Sequence, residues 1–210
     1  GVLIGVLVII TAITYVDQGE RRVPVQYAKR VVGRKMYGGQ STFIPIKVNQ
    51  SGVMPIIFAM TFVQFPAMIA QFWPNSAFYT WYTKFLGTGS VIYAILYALL
   101  IVFFTYFYSQ IAFNPVDVSK NIQQYGGFIP GIRPGKPTSD YLSRILSKLT
   151  LFGAVFLAIL AVIPTLFTKV TKLTSTFSAT GLLIMVSVAL ETAQLLEAQM
   201  MMRHYKGFLN

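Results

Sequence analysis

Residues 91–113 read VIYAILYALLIVFFTYFYSQIAF, twenty-three positions without one charged side chain. A bilayer core of about 30 Å takes roughly 20 apolar residues in a helix, so this stretch has the length and chemistry of a membrane span. Four more runs resemble it. Residues 53–73 and 149–167 are continuous and apolar, and residues 177–201 hold only Glu191 and Glu197, both in the second half. Residues 1–16 fall a few positions short, and Gly1 opens directly into the run with no charged segment before it. That start is a poor secretory leader; the expectation is a longer protein cut within this span. Continuous runs, not ten-residue alternating segments, favour helices over a barrel.

Composition agrees. The 210 residues are 55% hydrophobic and 11% charged, with a mean hydropathy of +0.62. Soluble domains carry about 25% charge. Disorder is excluded and an ordinary soluble fold is disfavoured, and the fold class expected is an all-α, polytopic transmembrane helix bundle.

Seventeen Lys and Arg against six Asp and Glu give a net charge of +11. Their placement decides what that excess means. Loop 17–52 holds seven of them, loop 114–148 five, and the tail two; connections 74–90 and 168–176 hold the remaining three. The positive-inside rule puts the fourteen on the cytoplasmic side, with the C-terminus. The opposite face gathers Phe72, Trp73, Phe78, Tyr79, Trp81, Tyr82 and Phe85, which reads as an aromatic belt at the headgroups.

Catalysis finds little support. The chain has no Cys and a single His, His204, in the tail, so a thiolate or His metal cage is not expected. No His, Cys or Lys lies inside a span, and a membrane hydrolase needs a nucleophile with its base. No Walker-type phosphate loop is present. Glu191 and Glu197 read as a wet helix end; a coupling site for ions is the sharper alternative. No cofactor is expected.

Within 53–73, positions 57, 61, 64, 68 and 71 share one helix face. Thr61, Gln64 and Gln71 make that face partly polar, and Phe65 lies on its flank. Such groups either hydrogen-bond neighbouring helices, at about 0.6 kcal/mol each, or line water or a mobile seam. The basic loops exceed what topology needs. They suit anionic lipids, or a docking platform for RNA or an acidic protein. In loop 17–52, Gly33, Gly38 and Gly39 make the tip turn back on itself. In loop 114–148, residues 126–135 (GGFIPGIRPG) are a succession of turns presenting Arg133. Thr138-Ser139-Asp140 then offers an N-cap for a helix running through Leu149 into the fourth span.

Longer motifs carry a resemblance. Tyr27-Ala28-Lys29-Arg30, Gly33-Arg34-Lys35, Gln40-Ser41-Thr42, Pro45-Ile46-Lys47-Val48-Asn49 and residues 52–59 (GVMPIIFA) are similar to SecY, the channel subunit of the bacterial Sec protein translocase. Phe113-Asn114-Pro115 and residues 127–135 (GFIPGIRPG) resemble it too. The match runs the whole chain and implies the C-terminal half of the pseudo-symmetric ten-helix channel, spans six to ten.

The resemblance implies a protein-conducting channel subunit in the bacterial plasma membrane. It would translocate unfolded secretory polypeptides and release transmembrane segments sideways into the bilayer. Ile57 and Ile184 would belong to the apolar pore ring. Asn49, Thr61, Gln64 and Phe65 would belong to the lateral gate. Lys29, Arg34, Lys35, Lys47, Arg133 and Tyr205 would meet the SecA ATPase or the ribosome. SecE and SecG would be companion subunits, signal peptides and nascent chains the cargo, and the N-terminal half of SecY would complete the pore. A secondary transporter of small solutes is the competing class, but it needs a midplane site with broken helices or buried charge. A membrane scaffold that only anchors a partner is the third.

Overall fold

The computed structural model describes residues 2–28, 30–32, 35–37, 41–49, 52, 54–87, 89–171 and 179–206. Its helices are α1 (Val2–Asp17), α2 (Met54–Phe72), α3 (Ala77–Leu86), α4 (Val91–Ala112), α5 (Pro115–Gln124), α6 (Lys136–Thr171) and α7 (Ala179–Lys206). Its strands are β1 (Glu20–Tyr27), β2 (Arg30–Val32), β3 (Lys35–Tyr37), β4 (Ser41–Lys47) and β5 (Gly127–Phe128). Among the described residues, α2, α4 and α6 are long and apolar enough to cross a membrane. They coincide with the second, third and fourth apolar runs.

Helices α3, α4 and α5 begin where the sequence provides a cap. Ser90 accepts from the backbone N–H groups of Ile92 and Tyr93 at the start of α4. Ser76 does the same for Tyr79 in α3, which turns the aromatic connection 74–90 into a short helix. Asn114 caps α5 with Pro115 in its first turn, a position that needs no backbone donor.

The start of α6 differs from the expectation. The helix begins at Lys136, and the Ser139 N–H already donates to the Gly135 carbonyl at 3.2 Å. Thr138 therefore lies inside the first turn. Its hydroxyl donates back to the Arg133 carbonyl at 2.8 Å and does not cap the helix. The 36 residues of α6 span roughly 54 Å at 1.5 Å per residue. That exceeds the bilayer core, so one rod carries both a span and an extramembrane stem.

Two cores result. In the membrane part, Ile13, Ile56, Ala59, Val63, Tyr97, Ile101, Leu157, Leu160 and Ala161 interlock α1, α2, α4 and α6. Lipid is as apolar as these side chains, so their packing stabilises through close contact more than through water release. Phe58 and Phe62 of α2 add rings against α4, with centroids 5.9 Å (Phe58–Phe104), 5.3 Å (Phe58–Tyr108) and 5.3 Å (Phe62–Phe104) apart.

The second core joins the two basic loops. β1 pairs antiparallel with β4, in a register that includes Val23↔Ile44 and Val25↔Thr42. β5 adds to the other edge of β1 at Gln26 and Tyr27. Val23, Val25 and Ile46 face inward and pack with Phe113, Ile122, Ile129, Leu142, Ile145 and Leu146. The sheet from loop 17–52 is thus seated on α5 and the stem of α6 from loop 114–148. Here burial removes apolar surface from water, at about 25 cal/mol per Å².

Candidate functional site

One face of α2 is packed and the other is open. Ile56, Ala59, Val63 and Ala70 are buried. Ile57, Phe65 and Met68 are 39%, 61% and 60% exposed, and Thr61, Gln64 and Gln71 are exposed beside them. The Thr61 hydroxyl donates to the Ile57 carbonyl of its own helix at 2.8 Å. It therefore needs no neighbouring helix to satisfy it. The stripe singled out from spacing is the side of α2 turned away from α4. Ile184, the other residue expected in the ring, leans from α7 against the membrane core.

Asn49 sits in the turn after β4, before α2 begins. Its Nδ2 donates to Asp17 Oδ1 at 2.8 Å. An ionised carboxylate only accepts, so the amide is oriented with its oxygen away from Asp17. That oxygen is buried and has no hydrogen-bond partner among the described residues. Asp17 was not singled out from the sequence. The signal was available: a carboxylate ending an apolar helix faces the negative end of the helix dipole and calls for a donor. Glu191 of α7 reaches the same region, its Oε1 3.3 Å from the point where a Cβ on Gly52 would sit. Its carboxylate thus lies by the turn that leads into α2.

The basic turn is a pinned structure. Gly131 and Gly135 take φ values of +83° and +98°, a region that L side chains rarely enter. Between them Ile132 donates to the Ile129 carbonyl at 3.0 Å. Thr138 holds the Arg133 carbonyl, and the Ser119 hydroxyl of α5 donates to the Gly135 carbonyl at 2.7 Å. Ile129 is buried in the extramembrane core, while the Arg133 side chain stands exposed. Backbone bonds on both sides aim one guanidinium outward.

Lys47 ends β4, opposite Glu20 in register. Lys35 lies on β3 and Tyr205 in the last turn of α7. Lys29 and Arg34 lie outside the described residues. Of the described docking residues, Lys47 belongs to the three-stranded sheet, Lys35 to the separate β2–β3 pair, Arg133 to the pinned turn and Tyr205 to the end of α7. The expected gate and ring residues belong to α2, the turn before it, and α7. Among the described residues no cluster of His, Asp and Glu is arranged to hold a metal ion.

These features define a helical membrane protein: a bundle in which α2 turns a partly polar face outward, with a basic head built from two loops. The chain belongs to the SecY family, whose model matches residues 1–193. It is 46% identical to the protein translocase subunit SecY of Mycobacterium bovis, over 97% of this chain and 49% of the relative. It is 47% identical to that of Streptomyces coelicolor, over 99% of this chain and 48% of the relative. A solved structure shares the fold with a TM-score of 0.59 at 20% identity, covering 94% of this chain and 49% of its own. It was described for a SecY plug domain that stabilises the closed translocation channel and maintains a membrane seal. The chain spans about half the length of the curated relatives it matches.

Proposed function

We propose that the chain is the C-terminal half of a protein-conducting channel, with five spans at about 1–16, 53–73, 91–113, 149–167 and 177–201. It passes unfolded secretory polypeptides across the bacterial plasma membrane and lets transmembrane segments leave sideways. The observation that carries this reading is the open face of α2: apolar Ile57, Phe65 and Met68 mixed with Thr61 and Gln64, on a helix whose other face is locked to α4. A permanently lipid-facing helix has no use for that polar mixture, whereas a helix that meets water and a passing chain by turns does.

The mechanism is gating, without bond chemistry. Ile57 and Ile184 contribute to an apolar ring, which solvates ions poorly and limits leak when idle. The N-terminal half supplies the rest of the ring. The gate opens when the halves separate as bodies, and a hydrophobic signal peptide stabilises the open form because it binds that form better. The buried Asn49 oxygen supports a closed gate latched by a donor from the opposite half. SecE and SecG accompany the channel. SecA or the ribosome docks on the basic head, in the cytoplasm with the C-terminus, through Arg133, Lys29, Arg34, Lys35, Lys47 and Tyr205.

The test uses the whole protein with a polypeptide arrested in transit that carries one cysteine in its signal peptide. Phe65→Cys and Thr61→Cys should form disulfides with it, and Phe107→Cys, exposed on α4, should not. Capture at position 107 in preference to 61 and 65 would remove the gate from this face.

A further inference from the structure

A second site lies at the end of the bundle nearest the sheet. There α4, α6 and the start of α5 border a half-open cavity of about 260 Å³. Its walls include Tyr106, Gln110, Ser143 and Ser147, with Ser109 and Thr150 also lining it. No carboxylate lines it. Asp117, one turn into α5, is engaged by Asn114 Nδ2 at 2.9 Å.

Ser109 and Thr150 carry the argument. Both are nearly fully buried, at 1% and 3% exposure, and their hydroxyls meet at 2.7 Å. Two hydroxyls own two protons, and one hydrogen bond between them uses one. Neither makes another hydrogen bond among the described residues, so one buried O–H donor remains. Buried donors of this kind call for an acceptor, and the cavity that both residues line is where one fits. The wall hydroxyls and the Gln110 amide add donors, and exposed Arg144 and Lys148 flank Ser143 and Ser147 one residue on.

We infer that this cavity binds the phosphodiester of an anionic glycerophospholipid from the adjacent leaflet. A donor-rich pocket without carboxylates, flanked by cations, suits a phosphate oxygen. The lipid source is favoured over a free anion by what adjoins the cavity. Toward the membrane interior α4 exposes Leu99 and Phe103 and α6 exposes Leu151 and Val155, an apolar continuation for acyl chains. The inference rests on the bundle lying in a membrane and not on the channel reading. A protein inactive in transport that still labels as described below would separate the two.

The test reconstitutes the whole protein in vesicles doped with photoactivatable phosphatidylglycerol and maps the labelled peptides. Labelling is expected on residues 106–114 and 143–150, unaffected by excess inorganic phosphate and competed by unlabelled phosphatidylglycerol. Ser143→Leu with Ser147→Leu should abolish it. Because those changes also alter packing, the exposed pair Arg144→Gln and Lys148→Gln serves as the second variant. It should lower the preference for phosphatidylglycerol over phosphatidylcholine by roughly fivefold per cation removed. Equal labelling by phosphatidylcholine, competition by inorganic phosphate, absence of label from both peptides, or indifference to the cation pair would each overturn the site.

Discussion

Gly153, midway along α6, packs against the Val48 carbonyl so closely that a Cβ there would stand 2.6 Å from the oxygen and 3.9 Å from Asn49 Cα. The turn that carries Asn49 and leads into α2 is thereby held against the long rod. Gly153→Ala replaces this contact with an overlap against backbone, which cannot rotate aside. Overpacking costs typically 1–3 kcal/mol, while Ala gains only about 1 kcal/mol over Gly in a helix. The expected result is a lower unfolding temperature in detergent. Gly5→Ala, with no atom within 4 Å of its added methyl, should leave that temperature unchanged or raise it.

The shared extramembrane core makes a second prediction. Val25 is fully buried between the sheet and the helices of the other loop. Val25→Asp places an unpaired charge there, at a penalty of several kcal/mol. Limited proteolysis should then cut both loop 17–52 and loop 114–148 faster. Cutting confined to the first loop would show that the two do not form one unit.

What the sequence made legible follows from the physics of each part. The apolar runs 53–73, 91–113 and 149–167 announce helices because a bilayer demands length and apolarity, both countable. The partly polar stripe of α2 was legible from spacing, which left open whether it meets a neighbouring helix or faces outward; the turns around Arg133 were legible from their Gly and Pro. The sheet was not. β1 and β4 contain Pro24 and Pro45, residues that argue against a central strand. The structure accommodates Pro24 because β5 reaches only Gln26 and Tyr27, which leaves β1 with one neighbour at that point. Thr138 looked like a cap because its type fits one; that its hydroxyl turns back to Arg133 depends on the preceding turn, which no local pattern encodes. Contacts such as Asn49 to Asp17, 32 residues apart, require the assembled bundle.

Arg133 and its support should separate in their effects. Under the proposed docking role, Arg133→Glu, which reverses the one charge that the pinned turn presents, should cripple ATPase-driven export while the protein still inserts normally. Thr138→Val removes only the hydrogen bond to the Arg133 carbonyl, worth about 1 kcal/mol. Export should fall less, with weaker motor binding. Normal export by Arg133→Glu at normal protein level would remove Arg133 from the docking surface.

The ring assignment is tested by polarity at constant backbone. Ile57 is exposed on the open face of α2, so Ile57→Asn buries no new polar group and should leave the fold intact. Ile184 leans on the membrane core, so Ile184→Asn carries a packing loss as well and should lower stability somewhat. In the proposed channel, each amide would hydrate the constriction and weaken its barrier to ions. Both variants should therefore raise ion leak through the idle channel and admit weak signal peptides that the unaltered protein rejects. The comparison between them discriminates further: leak in Ile184→Asn alone would reflect loosened packing of α7, whereas leak in Ile57→Asn at unchanged stability follows only if position 57 faces the pore.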